Sequence, residues 1–236
     1  MTKPAITLLV IAKQPVPGRV KTRLVPPCTH PQAAALAEAA LTDTLHTVLM
    51  APARRRILVL EGRPGPWLPA GFDVVPQCGG PLDERLACAF AAAQGPALLI
   101  GMDTPQVTSS LLTIDWQGAD AVFGPAADGG FWALGLRVPD PAPLRGVRMS
   151  TPDTGASQRA RLLAAGLRVA DLPVLRDVDT AADAVAVARQ APRSRFAARA
   201  RELATVLNPA GTGELPGTGA GAIGQNPPIH ALRETA

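Results

Sequence analysis

The sequence predicts a mostly parallel, doubly wound α/β sheet with helices on both faces, in a single Rossmann-like domain. Three observations carry that expectation: short apolar runs recur along the chain, helix-like segments lie between them, and the runs are continuous rather than alternating. Continuous runs mark strands buried on both faces, as crossover helices require. The 236 residues, 47% hydrophobic and 18% charged, suffice for one such domain, expected over residues 1–207.

The first strand is expected at 5–12, where "AITLLVIA" leads into a loop rich in proline and basic residues. A helix follows over 31–50, with Leu36, Ala40, Leu41, Leu45, Val48 and Leu49 on one stripe. Further strands are expected at 56–61 ("RILVLE"), 72–76, 97–101 ("ALLIG") and 120–123, with helices at 82–94, 106–114 and 155–166. The stretch "GGFWALGLRV", 129–138, alternates better and reads as a strand added beyond the regular pattern. Two more helices are expected at 181–191 and 195–207. From Asn208 the composition turns to glycine and proline, and 208–236 reads as a disordered tail. Its G-x-G-x-x-G spacing at 219–224 follows no strand and opens no helix, so it is not a dinucleotide fingerprint.

Composition excludes several classes. The apolar runs are too short to span a bilayer and no signal peptide is visible, so a cytoplasmic protein is expected. Cys28, Cys78 and Cys88 are odd in number and lack CxxC spacing, which argues against a disulfide framework or zinc site and leaves ordinary packing for Cys78 and Cys88. Cys28 has His30 near it in sequence only, which is not the geometry of a nucleophile and its base. The net charge of +4 raises nucleic acid as a partner, but tyrosine is absent, aromatics are 3% and the arginines are scattered, so none is expected.

Four clusters carry chemistry, each where an open α/β sheet binds ligands, at the carboxyl ends of strands. The first is "KQPVPGRVKTRL". Only three lysines occur in the chain, Lys3, Lys13 and Lys21, and two of them flank this loop with Arg19 and Arg23, while Gly18 shapes its turn. Backbone amides and fixed cations of this kind can cradle phosphates, whereas a solvated basic turn is the bland alternative. The second, "GMDTP", puts Asp103 just beyond a strand, where a carboxylate can hold magnesium or merely cap a helix. The third, "GPAADGGFWALGL", offers Asp128 beside Gly129 and Gly130, for close backbone approach and hydroxyl contacts, with Trp132 near enough to line a pocket. In the fourth, "DVDT", Asp179 or Asp177 can add a metal ligand, while Thr180 with Asp183 resembles a capping box.

Taken in order, KQPVPGRVKTRL, QCGGPLDERL, GMDTP, GPAADGGFWALGL and DVDT resemble the DUF2064 family of GT-A-type proteins, usually described as glycosyltransferases, over about residues 5–190. More distantly they are similar to small nucleotidyltransferases that guanylylate 2-phospho-L-lactate or molybdopterin. The resemblance implies a nucleotide-binding sheet, with Mg²⁺ (or Mn²⁺) held by Asp103 and Asp179 and phosphates near Lys13, Lys21 and Arg23. Catalytic roles are expected for Asp103 and Asp128, and a substrate pocket containing Arg85, Gly129, Gly130 and Trp132. Phe131 stands where the family often has tyrosine, and the G-x-G-T-R-M loop of nucleotidyltransferases is missing. The expected partners are a nucleotide or nucleotide-sugar and a small acceptor. Glycosyl transfer from an NDP-sugar leads; nucleotidyl transfer to a phosphorylated acceptor and non-catalytic nucleotide binding are the alternatives.

Overall fold

The computed structural model describes residues 6–209, so all but the first two residues of the expected tail lie outside the described residues. Seven strands form one sheet: β1 (Thr7–Lys13), β2 (Arg55–Glu61), β3 (Asp73–Pro76), β4 (Ala97–Ile100), β5 (Ala121–Pro125), β6 (Phe131–Leu136) and β7 (Val169–Asp171). Their order is β3-β2-β1-β4-β6-β5-β7. All neighbours pair in parallel except at β6, which runs antiparallel to both β4 and β5. The alternating stretch is therefore the strand that breaks the regular pattern, as expected. The helices are α1 (His30–Met50), α2 (Leu82–Ala91), α3 (Thr154–Ala164), α4 (Ala181–Gln190), α5 (Arg195–Glu202) and α6 (Ala204–Leu207).

Period-two geometry divides each central strand between two cores. Leu8, Val10, Leu58 and Ile100 pack with Leu41, Leu45 and Val48 of α1 on one face. Leu9, Ile57, Val59 and Leu99 pack with Leu86 and Phe90 of α2 and Leu162 of α3 on the other. A third cluster joins Leu36 of α1 to Val187 of α4 and Phe196 of α5, with Leu24 and Val178 beneath it. Helix α1 starts where its sequence dictates: Thr29 and Gln32 form a reciprocal capping box, with proline in the first turn.

Four expectations need correction. Residues 106–114 form successive turns, not a helix. There the hydroxyls of Thr108, Ser110 and Thr113 bond to one another or to nearby backbone, offering it an alternative to the helical ladder. Val107, Leu112 and Ile114 are buried all the same, so the apolar spacing reported core and not helix. The final helix is broken at Leu203 into α5 and α6. Strand β7 was not expected; it is three residues long and mostly exposed, too short to leave a pattern. Finally, Cys78 and Cys88 are disulfide-bonded, with Cα atoms 6.4 Å apart. An odd cysteine count excludes a fully paired framework but not one local bridge, and the loop after β3 turns back along α2 to bring this pair together.

Candidate functional site

The order of strands reverses beside β1, whose neighbours are β2 and β4. A cleft of about 790 Å³ opens at the carboxyl ends of these strands. Lys13, Arg19, Lys21, Arg23, Arg85, Asp103, Asp128, Gly130, Trp132 and Asp179 all line it, so residues from five separate motifs converge. Gly18 and Gly129 do not line it, and both act through backbone shape. Pro17 and Gly18 are the central residues of a turn closed by Arg19 N–H on Val16 O (3.0 Å), with Gly18 at φ 77°. Gly129 has φ 90°, and a Cβ there would lie 1.9 Å from Pro152 O.

The basic loop is tied to carboxylates. Lys13 Nζ lies 3.4 Å from Glu61 Oε2, its register partner across β1 and β2, and Arg85 Nη1 reaches the same oxygen at 3.0 Å. Lys21 Nζ lies 2.8 Å from Asp103 Oδ2 and 3.1 Å from Asp179 Oδ1. Arg23 Nη1 bonds Asp179 Oδ2 at 2.8 Å. Arg19 is exposed and makes no ion pair among the described residues. Burial opposes the charge on Lys21, but Asp103 and Asp179 outweigh it and raise its pKa above the ordinary lysine value.

The "GMDTP" and "DVDT" segments meet directly. Val178 N–H donates to Asp103 O at 3.0 Å, and the Gln106 amide donates to Arg176 O at 2.5 Å. These bonds bring Asp179 beside Asp103. Oxygens of Asp128, Asp177 and Asp179 lie within 4.8 Å of one another. Burial pushes the Asp177 carboxyl up to about 6, with the charges of Asp128 and Asp179 adding to it. Asp183 takes the capping role: its carboxylate accepts from Thr180 N–H (2.9 Å) and Thr180 Oγ1 (2.7 Å). The capping-box alternative therefore describes Thr180 and Asp183, while Asp177 and Asp179 remain at the cleft.

Around "DGG" the backbone is close-packed. Asp128 Oδ1 accepts from Gly130 N–H at 2.8 Å, which fixes the carboxylate at the loop tip. Gly155, at the start of α3, donates to Gly129 O at 2.7 Å. Trp132 is 3% exposed and donates Nε1–H to Pro173 O at 3.0 Å, so it packs in the core while contributing to the cleft wall. Sequence reasoning missed Glu61, Gly155 and the wall formed by Met149, Ser150 and Thr151. Glu61 had a signal, an acid closing the second strand in register with Lys13.

The donors suit a hard divalent cation. In the group of Asp128, Asp177 and Asp179 they are carboxylate oxygens only; Asp103, expected as a metal ligand, is not a member of that group, and its Oδ1 is buried with no hydrogen-bond partner. The cleft wall carries five lysines and arginines (13, 19, 21, 23, 85) and five aspartates (103, 128, 177, 179, 183), so it has no net positive charge.

Among the described residues no helix is long and apolar enough to cross a membrane. No curated protein matches the chain. A protein of Desulfovibrio desulfuricans G20, named as a candidate nucleotide-diphospho-sugar transferase, is similar in structure with a TM-score of 0.77 and 28% identity, covering 86% of this chain and 96% of its own. The CMP:2-keto-3-deoxy-manno-octonic acid synthetase complexed with CTP is similar in fold alone, with a TM-score of 0.51 at 12% identity, over 84% of this chain and all of its own (100%). The mostly parallel α/β fold expected from the sequence is that of these transferases. The DUF2064 family, described as an uncharacterized protein conserved in bacteria, matches residues 35–151, a span that holds three of the five motifs and leaves out the basic loop and "DVDT". The family resemblance read from the motifs is thus borne out: over residues 35–151 the chain matches DUF2064.

Proposed function

We propose that the protein is a divalent-cation-dependent transferase using a nucleotide-activated donor, and that it transfers a glycosyl group from an NDP-sugar to a small acceptor. The observation that carries this reading is the juxtaposition, at one end of the sheet, of the carboxylates Asp103, Asp128, Asp177 and Asp179 with the cationic loop. A wall with equal numbers of cations and carboxylates does not attract a polyanion unaided, so the reading includes Mg²⁺ or Mn²⁺ held by Asp103 and Asp179, with Asp128 and Asp177 in reach. When bound, such an ion would neutralise the donor diphosphate as a Lewis acid.

The chain's own residues do the rest. Arg19, Lys13 and Arg23 bind the phosphates, and Gly130 allows close approach to the donor. Asp128 accepts a hydrogen bond from the acceptor hydroxyl and takes its proton as the oxygen attacks the anomeric carbon. The bond from that carbon to the diphosphate breaks and the nucleoside diphosphate leaves. Three of the four loop cations are already paired with carboxylates, and this supports a diphosphate donor over a triphosphate.

The test is a thermal-shift panel of nucleoside triphosphates and NDP-sugars, each with and without Mg²⁺, since a ligand selective for the folded state raises its melting temperature. Magnesium-dependent stabilisation by an NDP-sugar supports glycosyl transfer. Stabilisation chiefly by one triphosphate turns the reading to nucleotidyl transfer, and equal nucleotide binding without the metal turns it to a non-catalytic binder.

A further inference from the structure

Among the described residues Lys21 alone forms ion pairs with both Asp103 and Asp179, and its side chain is 8% exposed. We infer that in the cation-free protein the Lys21 ammonium is a built-in counter-ion that closes the divalent-cation position, and that it moves onto donor phosphate when cation and nucleotide enter together. This rests on the proposed reading of the cleft and deepens it by assigning how its ligands depend on one another.

Asp103 and Asp179 are ligands that the ammonium and the cation would share. A divalent ion drawing on Asp103 and Asp179 would stand beside an ammonium already held by the same two carboxylates. Like charges at such a separation, with little water between them, are costly. The ion can enter only if Lys21 gives up these oxygens, and a buried ammonium needs another anion to move to. Donor phosphate is that anion. Metal alone therefore binds weakly, whereas metal with nucleotide binds as a unit.

Two further observations fit an exchangeable plug better than a fixed ion pair. Asp103 Oδ1 remains buried and without a hydrogen-bond partner, so Lys21 does not complete this carboxylate's coordination. Lys21 also has a left-handed backbone, φ 48° and ψ 39°, a conformation that a lysine keeps only where the surroundings impose it. Its backbone is anchored by the turn at Thr22–Leu24, whose Leu24 is buried, so the four-carbon stem is the part free to swing.

The experiment titrates Mn²⁺ into the parent and into Lys21→Met without nucleotide, reading free Mn²⁺ by electron paramagnetic resonance and confirming the fold by circular dichroism. The variant is expected to bind Mn²⁺ at least about tenfold more tightly, because Asp103 loses its cation and Asp179 keeps only the exposed Arg23. Equal or weaker binding overturns the inference. Should Lys21→Met fail to fold, the parent itself decides. Its three lysines give three signals after ¹³Cε-lysine labelling, with Lys3→Arg and Lys13→Arg completing the assignment. The Lys21 signal is expected to stay in place with Mg²⁺ alone and to move with Mg²⁺ plus inorganic tripolyphosphate. Movement with Mg²⁺ alone, or none with both, overturns the inference. Failure of the donor-site reading looks different: no nucleotide stabilises the parent, while the metal-only comparison still reports on Lys21.

Discussion

The amide of Gly155 donates a 2.7 Å hydrogen bond to the carbonyl of Gly129, locking the start of α3 onto the loop that carries Asp128. A Cβ at position 155 would lie 2.4 Å from Gly130 O and 2.9 Å from Gly129 O, both backbone atoms that cannot step aside. Gly155→Ala is therefore expected to cost about 2 to 3 kcal/mol by forcing the two segments apart. Gly79→Ala, whose added methyl meets nothing within 4 Å, should change stability by less than about 0.5 kcal/mol. Urea denaturation of the two variants checks this; equal stabilities would show that the "DGG" loop is not held by α3.

The Cys78–Cys88 bridge joins residues ten positions apart, one just after β3 and the other in α2. Reduction should cost about 2 to 3 kcal/mol by freeing the segment between them in the unfolded chain. Dithiothreitol should thus lower the melting temperature of the parent and leave Cys78→Ser unchanged. Thiol counting gives an independent check. Cys28 is 2% exposed and burial pushes its thiol above the ordinary value, so the native oxidised protein should show no reactive thiol, and the reduced protein two.

Asp183 makes the α4 cap sensitive to acid. Burial opposes its charge, but Arg176 and the Thr180 hydrogen bonds prevail and hold its carboxyl below the ordinary aspartate value. The folded state then binds fewer protons than the unfolded state, so this contribution is present above the unfolded value near pH 4 and fades as pH falls through the folded one. Asp183→Asn should cost about 1 kcal/mol at neutral pH, with the difference from the parent shrinking toward about pH 3. Parallel urea titrations at the two pH values test it, and a difference independent of pH would remove the ionised carboxylate from the account.

Much of this was legible in the chain because strong local rules agreed with the tertiary outcome. The run "RILVLE" read as a buried strand and is one, and the apolar stripe of 31–50 placed the start of α1 within a residue of His30. The candidate site was legible as motifs but not as contacts. Nothing local says that Val178 will bond to Asp103, or that Lys21 will be neutralised by acids far along the chain. Gly155 was invisible for a similar reason: its need for a missing side chain arises from a segment that precedes it by a whole loop. At 106–114 the apolar spacing was real, yet hydroxyl side chains decided the backbone.

Glu61 holds two cations, Lys13 and Arg85, beside the cleft. Both side chains of the Lys13 pair are substantially exposed, at 47% and 38%, so the pair itself contributes little to stability. Glu61→Gln keeps the shape, removes a negative charge and releases Lys13 toward an incoming phosphate. Under the proposed donor-site reading, it should tighten binding of a nucleotide with Mg²⁺ by about 2- to 10-fold, with a steeper loss of affinity as salt is raised. Isothermal titration at two ionic strengths measures both effects. Weaker binding would mean that Glu61 positions Lys13 and Arg85 rather than restraining them. Unchanged binding would mean that the phosphates contact Arg19 and Arg23 and leave the β1–β2 edge alone.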